Sequence, residues 1–294
     1  MHDAAPAASD KPAAVPSGRY LELPGRGRTF IREIAGPPGA PAIFLLHGLG
    51  ATGGTNFMGA FGPLGHHFRV IAPDHRGHGR GLRSRRRFRL ADCADDVAAI
   101  AAALGIERFL VAGYSMGGPI AQLTWHRHPR RVMGMILCAT SRDFRGRWRE
   151  RLQFSGLGLV ASGLSILPRG GERLVDALPD EVVSDTRRWA LGELRRSDPR
   201  SILEAAEALG RFSSREWIGE VDIPVSVVVT ERDRVVPVAR QVKLASSIPT
   251  AVLHVVDGNH LAAGNASELF SESLLEAAHL VLRRARKRGM SQIA

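Results

Sequence analysis

Residues 113–118 read Gly-Tyr-Ser-Met-Gly-Gly, which sets Ser115 between two glycines in the pattern G-x-S-x-G. The apolar run Arg108–Ala112 precedes it, and a helix-like run, Pro119–His128, follows. A serine at such a strand-to-helix turn is held in a strained backbone conformation, with its hydroxyl standing clear of the sheet. Side chains in place of Gly113 and Gly117 would clash with the tight turn. The helix starts at the turn, so the Met116 N–H is free to receive negative charge. The chemistry this suits is attack of a hydroxyl on a carbonyl carbon. A Gly-rich turn that binds nothing can carry the same five letters, so Ser115 needs partners elsewhere in the chain.

A serine hydroxyl is a poor nucleophile until a base removes its proton. The base is commonly a histidine oriented by a carboxylate. The apolar run Val225–Val229 ends in Thr230-Glu231-Arg232-Asp233, and the run Ala251–Val256 ends in Asp257-Gly258-Asn259-His260. Asp233 and His260 therefore fall just past the C-terminal ends of two strands, in the chain order Ser115, Asp233, His260. Glu231 is a rival acid, two residues nearer its strand. Asp257 sits too near His260 for easy side-chain contact, and Asp222 lies at the opposite edge. His254 is inside a strand, His126 and His128 are on a helix, and His75 and His78 come before the serine. An acyl-transfer site also needs donors for the developing oxyanion. The strand Ala42–Leu46 runs into His47-Gly48-Leu49-Gly50, where glycines let the backbone turn its amides toward a pocket. The Leu49 N–H joins that of Met116 as the expected donor pair, and His47 reads as a residue that ties the loop.

These residues need a sheet edge on which to converge. Strand patterns fall at Arg19–Leu23, Thr29–Ile34, Ala42–Leu46, Arg69–Ala72, Arg108–Ala112, Val132–Ala139, Val225–Val229 and Ala251–Val256. The first two alternate and predict an antiparallel edge hairpin around Pro24–Gly27; the later ones are mostly apolar, as strands buried on both faces are. Helical spacing appears at Asp92–Leu104 (closed by Gly105), Gly117–His128, Pro237–Ser247 and Ser267–Arg286. The alternation predicts an α/β fold: a mostly parallel, eight-stranded sheet with helices on both faces. It breaks between Ser141 and Glu220, where four helical patterns occur: Trp148–Gly163, Glu172–Leu178, Asp180–Arg196 and Ser201–Phe212. An insertion there should cover the C-terminal edge of the sheet, where ligands bind in such folds. The predicted organisation is a disordered arm at 1–17, a core at 18–140 and 221–294, and a helical cap at 141–220.

Taken together, His47–Gly50, Asp74–Gly79, Gly113–Gly118, Asp233 within Arg232–Pro237 and Gly258–His260 resemble the α/β-hydrolase family over roughly Arg19 to Arg286. The resemblance implies a Ser115–His260–Asp233 triad, an oxyanion hole at Leu49 and Met116, and a structural loop at Asp74–Gly79. A serine at the elbow argues against the branches that use aspartate there. Two positions depart from the commoner pattern: Asn259 precedes the histidine where a small residue is frequent, and Thr230 stands where glycine often opens the acidic loop. The expected reaction is hydrolysis of a carboxylic ester or related acyl compound, with a small acyl molecule as partner. A C–C bond hydrolase, a perhydrolase or an acyltransferase would use the same triad, and the fold also serves as a small-molecule receptor.

Composition bounds the alternatives. The chain has 294 residues, 44% of them hydrophobic, enough for a large core. Its two cysteines, Cys93 and Cys138, have no metal-type spacing and read as small buried residues in a reducing, cytoplasmic setting. No metal or organic cofactor is implied. The net charge of +11 comes from 40 basic residues, only three of them lysine. Two clusters, Arg83–Arg89 and Arg283–Arg288, read as a solvated loop and a helix end whose cations suit the dipole. Without interleaved aromatic residues they argue against nucleic acid. No apolar run approaches the roughly 18 residues of a membrane span. The apolar stretch Leu157–Leu167 would suit core packing first, and an acyl pocket or a peripheral lipid contact after it.

Overall fold

The computed structural model describes residues 15–145, 185–264 and 268–291. Eight strands form one sheet in the order β1-β2-β4-β3-β5-β6-β7-β8. They are β1 (Gly18–Leu23), β2 (Gly27–Ile34), β3 (Ala42–Leu46), β4 (Arg69–Pro73), β5 (Phe109–Tyr114), β6 (Val132–Cys138), β7 (Val225–Thr230) and β8 (Ala251–Val256). β1 pairs antiparallel with β2, and β2 antiparallel with β4; every other pairing is parallel. The first two strands do form the expected edge hairpin.

Central strands are largely apolar because both faces are covered. β3 sends Phe44 and Leu46 into one core cluster and Ile43 and Leu45 into the other. β5 splits Phe109 and Val111 from Leu110 and Ala112 in the same way. This is the two-residue period of a pleated strand, with both sides buried. The first cluster is closed by α3 (Leu90–Ala103), α4 (Gly117–Arg127), α6 (Pro199–Gly210) and α7 (Val238–Ala245). The second is closed by α2 (Phe61–Gly65) and α8 (Glu268–Ser291). The edge strand β8 keeps Leu253 and Val255 exposed, as a strand with one free face does.

The short α1 (Gly53–Asn56) and α2 were not expected, because four or five residues rich in glycine carry no helical period. α5 (Asp185–Arg195) falls within the pattern Asp180–Arg196, and α6 overlaps the pattern Ser201–Phe212 but starts two residues earlier, at Pro199 with Asp198 as its cap. The other two patterns, Trp148–Gly163 and Glu172–Leu178, lie outside the described residues, as does the run Leu157–Leu167. At the N-terminus the packed chain starts before Gly18: Val15 is buried, and the Pro16 carbonyl accepts from Arg32 Nη1 at 2.8 Å. No described helix is long and apolar enough to cross a membrane.

The basic clusters are partly committed to structure. Arg87 pairs with Glu207, Arg83 donates to the Gly79 and Arg196 carbonyls, Arg284 donates to the Thr250 carbonyl, and Arg288 pairs with Asp222. Cys93 and Cys138 are free and buried, and burial pushes both thiols up, away from thiolate.

The strand order places the site. After β3 the chain moves to β4 on one side and then to β5 on the other. The loops leaving β3 and β5 therefore diverge from adjacent strands and open a crevice at their C-terminal ends.

Candidate active site

Leu46 of β3 pairs with Gly113 of β5, so the loop from His47 and the turn at Ser115 start side by side. Ser115 has φ 52°, in the left-handed region that costs a residue with a Cβ on the order of 1 kcal/mol or more. Three hydrogen bonds hold it there. Its N–H donates to Cys138 O at 3.0 Å, and its carbonyl accepts from Gly118 N–H at 2.9 Å and Thr140 Oγ1 at 2.8 Å. The flanking glycines are required by space. A Cβ on Gly113 would lie 2.2 Å from Gly117 O, and one on Gly117 would lie 1.9 Å from Leu46 O.

Ser115, His260 and Asp233 come together from three strand ends. His260 Nδ1 lies 2.7 Å from Asp233 Oδ2, and Nε2 lies 2.9 Å from Ser115 Oγ. A carboxylate only accepts, so Nδ1 carries the proton and Nε2 accepts the serine hydroxyl. Asp233 is heavily hydrogen-bonded. Its Oδ1 accepts the N–H groups of Val235 and Val236, both at 2.8 Å, at the entry to α7. Its Oδ2 accepts Thr230 Oγ1 at 2.9 Å and Gln241 Nε2 at 3.3 Å in addition to His260. Thr230, the departure at the start of the acidic loop, thus donates to the very oxygen that faces the histidine. Gln241, on α7, escaped the sequence reading because a lone glutamine on a helix carries no positional signal. The second departure, Asn259, accepts the Leu261 N–H at 2.8 Å and so closes the turn around His260.

The rivals lie elsewhere. Glu231 is exposed, and Asp257 pairs with Arg232. His254 faces Ser226 on the sheet, His126 stacks on Trp217, and His128 pairs with Asp95. Tyr114 adds a support the sequence did not suggest: its buried hydroxyl donates to the His260 carbonyl at 3.0 Å. Burial pushes that phenol's pKa up, so it stays a donor.

The loop after β3 is fastened from two sides. Asn56 Oδ1 accepts the Gly48 N–H at 2.7 Å. His47 Nε2 accepts the His75 N–H at 2.9 Å, leaving Nδ1–H to donate to Gly48 O at 2.8 Å. This is the tying role expected of His47. Burial, with His75 and His78 beside it, holds His47 well below the ordinary imidazole range. Burial also pushes His75 down to about 3 and His78 down to about 4. Asp74 of the same loop accepts from Gly53 N–H and Arg80 N–H, while burial pushes its carboxyl up to about 6. The N–H groups of Leu49 and Met116 have no acceptor among the described residues. A cavity of about 320 Å³ opens over Ser115, lined by Leu49, Ala51, Tyr114, His260 and Leu261 and by Ala190 and Leu194 of α5.

Similarity to known proteins identifies the family of the fold. The sequence profile of the alpha/beta hydrolase fold matches residues 41–166. A pimeloyl-[acyl-carrier protein] methyl ester esterase of Chromobacterium violaceum is 31% identical over 220 residues, covering 73% of this chain and 84% of that protein. The chain belongs to the α/β-hydrolase family. RutD of Agrobacterium fabrum is 29% identical over 250 residues, covering 81% of this chain and 92% of its own. Among solved structures, the enol-lactonase of Burkholderia xenovorans superposes with a TM-score of 0.70 at 23% identity, over 89% of this chain and 100% of that one. As a member of the α/β-hydrolase family, the chain is an enzyme of the esterase-like hydrolase class.

Proposed function

We propose that this α/β-hydrolase cleaves carboxylic esters of modest acyl size through an acyl-enzyme on Ser115. The reading is carried by the continuous hydrogen-bond relay Asp233–His260–Ser115, at 2.7 and 2.9 Å, on a serine held at φ 52°. His260 Nε2 takes the serine proton as Oγ attacks the carbonyl carbon. Asp233 holds the imidazole tautomer and stabilises the imidazolium. The amides of Leu49 and Met116 receive the oxyanion, an interaction worth about 3 kcal/mol per donor in related chemistry. His260 then protonates the leaving alcohol and activates water to release the acid.

The cavity supports this substrate class. Leu49, Ala51, Ala190, Leu194 and Leu261 offer an apolar lining for an acyl chain. Names among its relatives, a methyl ester esterase and an enol-lactonase, support an acyl–oxygen bond as the target. In this reading residues 141–220 form the cap, and α5 presents Ala190 and Leu194 to the site.

The test is a chain-length series of aryl esters with fluorophosphonate labelling. Ser115→Ala should lose both turnover and label while remaining folded. His260→Ala should weaken labelling strongly. Sustained turnover beyond one equivalent separates a hydrolase from a receptor that is acylated once. Full esterase activity in a clean Ser115→Ala preparation would end the proposal.

A further inference from the structure

Two clefts meet at His260. One is the cavity over Ser115; the other, about 550 Å³, is lined by Arg232, Arg234, Val235, Asn259, His260 and Leu261. They share His260 and Leu261, so the two clefts border the same residues.

The reaction dictates what must lie on each side. In acylation the bond from Ser115 Oγ to the carbonyl carbon forms and the bond from that carbon to the alcohol oxygen breaks. The serine proton, held on His260 Nε2, passes to the departing oxygen, so no electron donor or acceptor is needed. That oxygen must therefore lie within hydrogen-bond reach of Nε2. The acyl chain extends from the carbon held by Ser115 and the Leu49 and Met116 amides, into the apolar cavity. The alcohol leaves from the His260 side, which the second cleft also borders.

The charge of that cleft is unbalanced. Arg232 is paired with Asp257. Arg234 is exposed and has no carboxylate partner among the described residues. Val235 and the largely exposed Leu261, at 63%, give the cleft apolar surface beside the free guanidinium. A guanidinium beside apolar surface suits a carbon skeleton that ends in an anion.

We propose that this cleft selects leaving alcohols that carry a carboxylate, with Arg234 as the specificity-determining cation. The proposal rests on the Ser115–His260–Asp233 reading. It is tested with two butyrate esters of equal size, of 4-(hydroxymethyl)benzoic acid and of its primary amide. The methylene insulates the reacting oxygen, so the pair differ in charge and not in leaving ability. Wild-type enzyme at low salt should favour the anionic ester in kcat/KM by about fivefold, the scale of an exposed charge pair. Arg234→Gln should bring the ratio close to one, chiefly through KM of the anionic ester, and leave the amide ester within twofold of wild type. Arg234→Lys should retain part of the preference, and added salt should weaken it. A wild-type ratio of one or below, or a preference that survives Arg234→Gln, overturns the proposal. Ser115→Ala, run alongside, tells the two readings apart. If it abolishes both esters while Arg234→Gln changes nothing, the cleft assignment alone has failed; if it abolishes neither, the mechanism beneath it has failed.

Discussion

Glu193 is the buried carboxylate that fastens α5 to the sheet, and its removal should loosen the wall of the substrate cavity. Its Oε2 accepts Arg32 Nη2 at 2.9 Å and Arg80 Nη1 at 2.7 Å, and Arg196 lies 3.6 Å from Oε1. Arg32 and Glu193 side chains are 4% and 3% exposed, whereas Arg196 is 53% exposed. The Arg32–Glu193 contact therefore dominates. Breaking a buried pair by deleting one charge costs about 3–5 kcal/mol, because the other charge is stranded. The exposed Arg196 contact adds no more than about 1 kcal/mol. Glu193→Gln keeps the shape and removes the charge, so it should lower Tm by roughly 10 °C at the usual few degrees per kcal/mol for a chain of this size. Thermal unfolding followed by tryptophan fluorescence reads this, since Trp189 lies 5.6 Å from the Arg32 guanidinium. Pairing Glu193→Leu with Arg32→Met should recover part of the loss, because the buried Arg32 charge is removed with its partner and only the more exposed Arg80 is left without its carboxylate. Ala190 and Leu194 share the helix with Glu193, so Glu193→Gln should also raise KM for esters more than it lowers kcat. A loss below about 1 kcal/mol, or a double variant whose losses simply add, would refute the reasoning.

The histidines make acid destabilising. Unfolded imidazoles take protons below about pH 6.5, while folded His75 and His78 resist protonation down to about 3 and about 4. The unfolded chain thus binds more protons through that window, and stability falls as pH falls. Asp74, raised to about 6, opposes this between about pH 4 and 6, but one carboxyl faces three imidazoles including His47. His75→Phe should flatten the slope of Tm against pH between 4.5 and 6.5; an unchanged slope counts against it. Gly117→Ala should yield insoluble or inactive protein, since its Cβ would lie 1.9 Å from Leu46 O, and soluble, active Gly117→Ala would contradict that contact. Thr230→Val removes the hydroxyl that donates to Asp233 Oδ2 at 2.9 Å. It should lower kcat/KM by about three- to tenfold, the worth of one net hydrogen bond, with Thr230→Ser restoring most of it.

Much of the fold was legible because burial on both faces writes itself as unbroken apolar runs. β3 and β7 match their predicted cores almost residue for residue, since both lie between two helix layers and the polar side chains of β7, Ser226 and Thr230, are hydrogen-bonded. α3 begins at Leu90, two residues before the Asp92 that its period suggested, because Arg89 enters in extended conformation without a side-chain cap. Local pattern could not show that start. In the site, Ser115, Asp233 and His260 stood out because each follows an apolar strand, and strand ends share an edge.

What the sequence by itself determined is therefore the list of groups able to react and the edge on which they lie. Spacing and apolar period suffice for that, since both are properties of a strand and its next few residues. The tertiary structure set Asp233, and not Glu231, against His260, turned Thr230 and Gln241 into partners of the Asp233 carboxylate, and tied Asn56 to the Gly48 amide. It also brought Arg234 and His260 into the lining of one cleft. Those contacts join residues on different elements, and a hydrogen bond needs its two atoms within about 3 Å. Periodicity cannot encode such a distance; the packing of helices and loops against one sheet edge creates it.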